Sequence, residues 1–239
     1  MTHRFFVDHQ IQTDCVTLDG AEAHHMLHVM RGKVGDEVIL FDGSGCEFGA
    51  RVERLSRSSV ELAVHQRQAV DRELPLALTL GVALPKGERQ KWLIEKAVEV
   101  GVTSVVPLMT ARGVAQPNGK VLERLRRQVI EASKQCGRNR LMTIADPCRL
   151  EVWTAETSSE SAFLLHPSGP PLSDRCEMLG GQKAVTLCVG PEGGFTDDEV
   201  HAAEAAGWDV VGLGRRILRI ETAAITAAVW FTACVSSSK

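Results

Sequence analysis

The stretch VTLCVGPEGGFT, at residues 185–196, decides how the C-terminal half of this sequence is interpreted. An apolar run typical of a buried strand is followed by G-P-E-G-G and then by a segment typical of a helix. Glycines after a strand let the backbone approach a ligand closely, and the N-terminus of the next helix offers unpaired N–H donors. The pattern predicts either a loop that binds a small ligand or a tight strand-to-helix turn, and by itself it leaves both open.

A second stretch, GLGRRILRIETA at residues 212–223, has the same layout after the next predicted strand. Its glycines permit a turn, its isoleucine and leucine side chains supply an apolar wall, and Thr222 is expected to cap the alanine-rich helix that follows. Two such loops at neighbouring strand ends predict a pocket at the carboxyl edge of a sheet. No G-x-G-x-x-G follows the first strand of this half and no G-x-x-x-x-G-K-[ST] occurs anywhere, which excludes the usual dinucleotide and ATP motifs.

Strands and helices alternate from Leu76 onward, which predicts an α/β domain with a parallel sheet. The first seventy or so residues contain short β-rich runs and one predicted helix at residues 21–30, a pattern that suits a small β-barrel. The polar segment at residues 71–75 is the predicted linker, so we place domains at residues 1–72 and 73–239. Further predictions are strands at 36–42, 47–54, 60–64, 76–84, 104–109, 162–165, 184–189 and 209–213, and helices at 87–100, 119–135, 196–206 and from 222.

The composition, 44% hydrophobic and 24% charged, is that of a soluble globular protein. The N-terminus lacks the apolar run of a signal peptide, and the most apolar stretch, residues 223–235, is too short to span a bilayer. We therefore expect a cytoplasmic protein that does not enter a membrane. The seven cysteines are scattered without a C-x-x-C pair, which favours reduced core residues. His24 and His28 have no third ligand nearby, so no metal is expected.

Positive charge is clustered although the net charge is −3. Residues 119–140 contain seven basic and two acidic residues, and Arg215, Arg216 and Arg219 form a second cluster. Such patches predict one anionic surface partner, although a solvated helix face is the common alternative.

The two glycine stretches resemble the cofactor loops of the SPOUT methyltransferases, and within that superfamily the chain is similar to the RsmE family of 16S rRNA uracil-N3 methyltransferases. Three more stretches extend the resemblance to nearly the whole chain: HHMLHVMRGKVGDEVILFDGSG at 24–45, KGERQKWLIEKAVEVGV at 86–102 and VIEASKQCGRNRL at 129–141. The resemblance implies a C-terminal α/β domain with a parallel sheet tied in a trefoil knot, and a small N-terminal PUA-like β-barrel that binds RNA. It also implies S-adenosylmethionine as cofactor, 16S rRNA within the small ribosomal subunit as substrate, and a homodimer.

The resemblance also assigns candidate residues. Those expected around the cofactor are Leu165, His166, Gly190, Glu192, Gly193, Leu213, Gly214, Ile217, Leu218, Arg219 and Thr222. Those expected to contact RNA are Arg4, Arg31, Lys86, Arg89, Arg126, Gln135 and Arg138. Uracil N3 attacks only after losing its proton, so Glu192, Glu221 and Arg138 are the candidates for catalysis, as bases or as a stabilising cation. Each glutamate could equally anchor its loop by accepting backbone N–H bonds.

Several alternatives stay open on the sequence alone. Residues 1–75 carry eight basic and twelve acidic residues, which is unexpected for a domain that grips RNA. The apolar C-terminal helix, with Ile225, Val229, Trp230 and Phe231, could supply a dimer contact or ordinary core. The chain could also methylate tRNA or a ribose, or be an RNA-binding assembly factor without catalysis. The KGER motif and the intact glycine loops argue against these last readings.

Overall fold

A computed structural model describes residues 3–115, 117–157, 161–179 and 182–236 of the chain. The chain divides into an N-terminal unit, Met1–Glu73 with Ser133–Leu141, and a C-terminal unit, Leu74–Ala132 with Met142–Lys239. The segment Ser133–Leu141 groups with the N-terminal unit although it is distant in sequence, and no sequence pattern predicted this.

The N-terminal unit is built on a mixed five-stranded sheet in the order β1-β3-β4-β5-β2. Its strands are β1 (His3–Phe6), β2 (Cys15–Leu18), β3 (Glu37–Phe41), β4 (Cys46–Leu55) and β5 (Val60–Ala69). β1 runs parallel to β3, and the other pairs are antiparallel. Alternate side chains of a strand face the same side of the sheet, so Val38, Leu40 and Leu62 point into a core that also contains Phe5. β5 extends beyond the predicted end at residue 64 because the ten-residue β4 pairs along it.

The helix predicted at residues 21–30 has a different form in the structure. It begins as α1 (Gly20–His24) and continues as a π-helix, His25–Val29, in which the His25 carbonyl accepts the N–H of Met30 at 3.0 Å. Arg31 follows with φ of 54°, an uncommon conformation for a residue with a side chain. The chain therefore turns sharply at this arginine before entering β3.

The C-terminal unit contains a parallel seven-stranded sheet whose main path is β12-β10-β11-β6-β7-β8, with β9 paired to β7. The strands are β6 (Ala77–Val82), β7 (Ser104–Met109), β8 (Thr143–Ile144), β9 (Cys148–Arg149), β10 (Ala162–Leu165), β11 (Ala184–Val189) and β12 (Asp209–Val211). The helices are α2 (Glu88–Glu99), α3 (Gly119–Cys136), α4 (Leu150–Glu156), α5 (Asp197–Ala205) and α6 (Ile220–Ser236), with a 3₁₀ segment at Leu172–Leu179. The predicted strands at 104–109, 162–165 and 184–189 are confirmed at both ends.

Aromatic side chains fix helices against this sheet. Phe231 of α6 is fully buried and packs on Phe163 of β10 with ring centroids 5.2 Å apart, so this part of α6 is core. Trp153 of α4 lies directly over Gly81 of β6, where a Cβ would come within 2.2 Å of the indole. Trp153 also stacks against Trp208 at 5.0 Å. The indole of Trp153 therefore fits against β6 because Gly81 has no side chain.

Thr222 is not the N-cap of the last helix, and that prediction is wrong. α6 begins at Ile220, and the Arg219 carbonyl accepts the N–H of Ala223 at 2.9 Å, so Arg219 occupies the capping position. Ile220 is 3% exposed and Glu221 is 7% exposed. Because these two residues are buried, α6 begins most of a turn earlier than the sequence predicted.

Within the described residues, no helix is long and apolar enough to cross a membrane. The same part of the chain holds no group of three or more histidine, cysteine, aspartate or glutamate side chains that could bind a metal ion.

Candidate functional site

Three loops leave neighbouring strands at the same edge of the parallel sheet. They follow β10, β11 and β12, which lie side by side in the order β12-β10-β11, and they begin at His166, Gly190 and Gly212. The loops enclose a cavity of about 330 Å³, within the range of small-ligand sites. Nine of the eleven predicted cofactor residues line it: Leu165, His166, Gly190, Glu192, Gly193, Leu213, Gly214, Ile217 and Leu218. Arg219 and Thr222 are exposed and do not line it.

The β10 and β12 loops run side by side in a short parallel bridge between Pro171 and Gly212, with backbone against backbone. The N–H of Gly212 donates to the Pro170 carbonyl at 2.7 Å, and the N–H of Leu172 donates to the Gly212 carbonyl at 2.9 Å. A Cβ on Gly169 would lie 2.6 Å from the carbonyl carbon of Val211, and a Cβ on Gly212 would lie 2.6 Å from the Gly169 oxygen. Only glycine fits at both positions, because the opposing atoms belong to the backbone and cannot rotate away.

The β11 loop is shaped by its glycines and by the aromatic ring that ends it. Gly190 lies against Phe195, where a Cβ would come within 2.9 Å of the ring. The Pro191 carbonyl accepts the N–H of Gly194 at 2.9 Å, and Gly194 has φ of 70°. Phe195 is 4% exposed, so the loop folds back over its own apolar anchor. The stretch is therefore a tight turn that also lines the cavity, and its role in binding a ligand stays a prediction.

Glu199 ties the start of α5 to the loop that follows β7. One carboxylate oxygen accepts the N–H of Ala111 at 2.8 Å, and the other accepts the N–H of Thr196 at 2.8 Å. The Thr196 hydroxyl accepts the N–H of Glu199 in return, which completes a capping box.

Burial, assisted by the negative charge of Glu199, raises the pKa of the Cys188 thiol well above its usual range. Cys188 is therefore a protonated core residue and a poor nucleophile.

Arg112 is a cavity residue that the sequence did not predict. Its Nη1 donates to the carbonyl of Gly193 at 2.9 Å and to the carbonyl of Phe195 at 3.3 Å. It lines the cavity from the loop after β7, and no sequence pattern connects that loop with the glycine loops. Arg216 also lines the cavity. It belongs to the basic cluster of the second glycine stretch and lies within residues 213–218, which the family resemblance implies around the cofactor.

Arg89, which was predicted to contact RNA, pairs with both glutamates that were predicted to take part in catalysis. From the first turn of α2, its Nη2 donates to Glu192 Oε1 at 2.9 Å, and its Nη1 lies 3.6 Å from Glu221 Oε2. Glu221 is 7% exposed, and its Oε2 has no hydrogen-bond partner within the described part of the chain. One guanidinium thus connects the β11 loop to the start of α6 and compensates part of their negative charge.

Two other predicted RNA contacts lie in the N-terminal unit and have acidic partners. Arg4 pairs with Glu47 and donates to Asn139 Oδ1 at 2.6 Å. The Arg138 side chain is 5% exposed and pairs with Glu73. Their roles in RNA binding and catalysis stay predictions, but in this conformation both side chains act as internal cross-links.

The remaining predicted RNA contacts are more accessible. Arg31, Lys86 and Gln135 are exposed. Arg126 is half-exposed and donates to the Ile144 carbonyl at 3.0 Å. Nothing in the geometry assigns these four a partner outside the chain, so their roles also stay predictions.

The cavity lining suits an adenosine-containing cofactor without phosphates. Leu165, Phe195, Leu213, Ile217 and Leu218 supply apolar surface for an adenine ring and a methionyl chain. The glycine backbone between them offers hydrogen-bonding groups at close range. S-adenosylmethionine therefore fits the residues that are present.

Comparison with known families places the chain in a class. The model described as an RNA methyltransferase domain matches residues 72–232, and the model described as an RNA methyltransferase PUA domain matches residues 18–64. The fold and the cavity thus belong to an RNA methyltransferase with a PUA domain.

More specific likenesses cover almost the whole chain. The ribosomal RNA small subunit methyltransferase E of Synechocystis is 33% identical over 99% of this chain and 79% of its own length, and that of Mycobacterium bovis is 33% identical over 93% and 88%. The crystal structure of this enzyme from Neisseria gonorrhoeae, bound to S-adenosylmethionine, is 30% identical with a TM-score of 0.89 over 98% of both chains. A putative methyltransferase from Legionella pneumophila, in complex with the same cofactor, is 31% identical with a TM-score of 0.91 over 98% of both chains.

The chain belongs to the family of ribosomal RNA small subunit methyltransferase E, the RsmE family. The resemblance carried by the two glycine stretches is therefore confirmed, and so is the combination of a PUA-like unit with a parallel α/β unit. The trefoil knot and the homodimer stay predictions.

Proposed function

We propose that this chain transfers a methyl group from S-adenosylmethionine to N3 of a uridine in the decoding region of 16S rRNA. The observation that carries the proposal is the cavity at three neighbouring strand ends, lined by nine of the predicted cofactor residues. The names of the relatives support rRNA of the small subunit as substrate, and the Neisseria gonorrhoeae structure supports the cofactor. The choice of uridine N3 in the decoding region rests on the family resemblance.

The loops bind and orient the two substrates in this proposal. When bound, S-adenosylmethionine supplies the electrophilic methyl group. Leu165, Leu213 and Leu218 supply an apolar wall for the cofactor, and the glycine backbone holds its polar groups. The uridine must enter unpaired, since N3 is engaged when the base is paired in a duplex.

Glu192 is the proposed acceptor of the uracil N3 proton. It lines the cavity, whereas Glu221 does not, and a general base must reach the proton that it removes. Arg89 contacts both carboxylates, so Glu221 holds the guanidinium that positions Glu192. Glu192 is thus assigned to proton transfer, and Glu221 to positioning.

Transfer of a labelled methyl group tests this proposal. The purified protein is incubated with S-adenosylmethionine labelled in its methyl group and with small ribosomal subunits or 16S rRNA that lack the modification. Nuclease digestion and mass spectrometry should find the label in N3-methyluridine at one position. Glu192→Gln should lower kcat about 100-fold with little change in cofactor affinity, and the rate should partly recover at high pH, where uracil loses its proton unaided.

Other outcomes would overturn particular parts of the proposal. Label in a ribose or in tRNA would favour a different RNA methyltransferase. Cofactor binding without transfer to any RNA would favour an assembly factor. Glu221→Gln is the matched control for the base, and a larger loss of kcat in this variant than in Glu192→Gln would reverse the two assignments.

The cellular setting belongs to the same proposal. Acting on the small ribosomal subunit requires a cytoplasmic location. A homodimer is part of the same proposal and rests on the family resemblance.

A further inference from the structure

The cavity has more positive charge than its own residues compensate. Arg112 and Arg216 line it and are exposed, and within the described residues neither makes an ion pair with an acidic side chain. Glu192 is the single acidic residue among the described lining residues, and it is bonded to Arg89. The two cavity arginines therefore lack an anionic partner inside this part of the chain.

The cofactor does not account for this charge. S-adenosylmethionine carries a sulfonium, an ammonium and one carboxylate, so its net charge is positive. Two uncompensated guanidiniums beside a net cation raise its electrostatic energy in a partly enclosed site. The negative charge that they fit is thus expected from the other substrate, and RNA supplies it as phosphate.

Arg112 is held in a defined orientation. Its Nη1 is occupied by the carbonyls of Gly193 and Phe195, and its stem packs on Gly193, where an added Cβ would lie 3.3 Å from Arg112 Cβ and 3.4 Å from its Cδ. Its Nε and Nη2 make no hydrogen bond to any described residue. A fixed guanidinium with two donors unused matches the paired oxygens of a phosphate.

Arg216 is followed by an apolar side chain that also faces the cavity. Ile217 lines the cavity although it is 80% exposed. An arginine next to an exposed apolar residue suits a nucleotide, which presents a charged phosphate beside the flat apolar face of a base. The β12 loop thus offers both kinds of contact on adjacent residues.

We propose that Arg112 and Arg216 form a phosphate-binding site for the target nucleotide of the RNA, with Ile217 against its base. This inference rests on the proposed function in taking RNA as the substrate, but not on which atom is methylated. The carboxylate of the cofactor is the other source of an anionic oxygen, and the experiment separates the two.

The test compares Arg112→Ala and Arg216→Ala with Arg149→Ala. Arg149 is exposed in the same unit, pairs with Glu151 and does not line the cavity, so it serves as the control. Calorimetry measures binding of S-adenosylmethionine and of methylthioadenosine, which lacks the carboxylate. Filter binding measures the affinity for 16S rRNA at several salt concentrations, without turnover. Arg216 makes no hydrogen bond to a described residue, so its substitution should leave folding intact even where Arg112→Ala loosens the β11 loop.

The expected result is an RNA affinity about tenfold lower in each cavity variant and a salt-dependence slope smaller by about one unit, with cofactor affinity unchanged in Arg216→Ala. Arg112→Lys should recover only part of the RNA affinity, since lysine lacks the paired donors. Unchanged RNA affinity and salt slope would overturn the inference. Loss of S-adenosylmethionine binding with methylthioadenosine binding retained would assign the arginines to the cofactor carboxylate. Tight, arginine-dependent RNA binding without N3 methylation would overturn the proposed function and leave this inference standing.

Discussion

The two units of this protein hold their loops and charged side chains in place in different ways. In the N-terminal unit, Arg4 and Arg72 share Glu47, and Arg138 pairs with Glu73. Around the cavity of the C-terminal unit, backbone contacts at glycines join the β10 and β12 loops and Arg89 pairs with Glu192, but Arg112 and Arg216 make no ion pair with a described residue. The difference separates two uses of arginine, because a guanidinium with an internal carboxylate cross-links the chain, whereas one left without it is available to a ligand.

The largest effect is expected where a cross-linking arginine is removed. Arg138→Met keeps most of the side-chain volume but leaves Glu73 without its guanidinium, and breaking a buried pair in this way costs about 3–5 kcal/mol. Urea unfolding followed by circular dichroism should show a clearly lower midpoint. An unchanged midpoint combined with a large loss of kcat would instead make Arg138 a catalytic residue.

The double variant Arg138→Met with Glu73→Met sharpens this experiment. It removes both charges at once, so it should recover part of the stability lost in the single variant. A double variant less stable than the single one would mean that Glu73 is well accommodated without the arginine.

The next effect concerns the close backbone contact between the β10 and β12 loops in the C-terminal unit. Gly169→Ala places a Cβ 2.6 Å from the backbone of Val211, so the β10 and β12 loops must separate, at a cost of about 1–3 kcal/mol. The affinity for S-adenosylmethionine, measured by calorimetry, should fall with stability. Gly119→Ala is the matched control because no atom lies within 4 Å of its added Cβ. Equal effects of the two substitutions would contradict this close contact.

The smallest effect is the pH dependence of the cross-link at Glu47. Burial opposes ionisation of this carboxyl, but hydrogen bonds from Arg72 and Arg4 outweigh it and lower its pKa below the ordinary value of 4.5. The ion pairs therefore contribute stability above pH 4.5, and this contribution is lost as the pH falls through the lowered pKa. Urea midpoints between about pH 6 and about pH 3 should decline less steeply in Glu47→Gln than in the unaltered protein.

Glu37 provides the comparison for that experiment. A hydrogen bond from Arg51 lowers its pKa too, but the pair is exposed, so Glu37→Gln should flatten the pH dependence less than Glu47→Gln does. A larger effect at Glu37 would contradict the internal role assigned to Glu47.

The sequence predicted the elements whose patterns are local. The apolar run before Gly190 and the glycines after it were sufficient to predict a strand and a turn, and the two glycine stretches together indicated the family. Arg112 could not be found in this way, because its part in the site depends on Glu199 bringing a distant loop against the start of α5. The ion pair of Arg138 with Glu73 likewise depends on Ser133–Leu141 grouping with the N-terminal unit.

The prediction of helix boundaries was limited in the same way, because these boundaries depend on tertiary contacts. Thr222 looked like an N-cap from its chemistry, but burial of Ile220 extended α6 toward its N-terminus. The π-helix at His25–Val29 has the residue types of an ordinary helix, so these residues did not predict its wider hydrogen-bond pattern.

The backbone contact at Gly169 and Gly212 also sets how this sequence can diverge. Surface loops usually accept substitutions, insertions and deletions. Here no side chain can be added at either glycine without moving backbone, whereas Arg216 and Ile217 are exposed and can change one at a time. Divergence can therefore alter the exposed lining of the cavity around loops whose path is inherited unchanged.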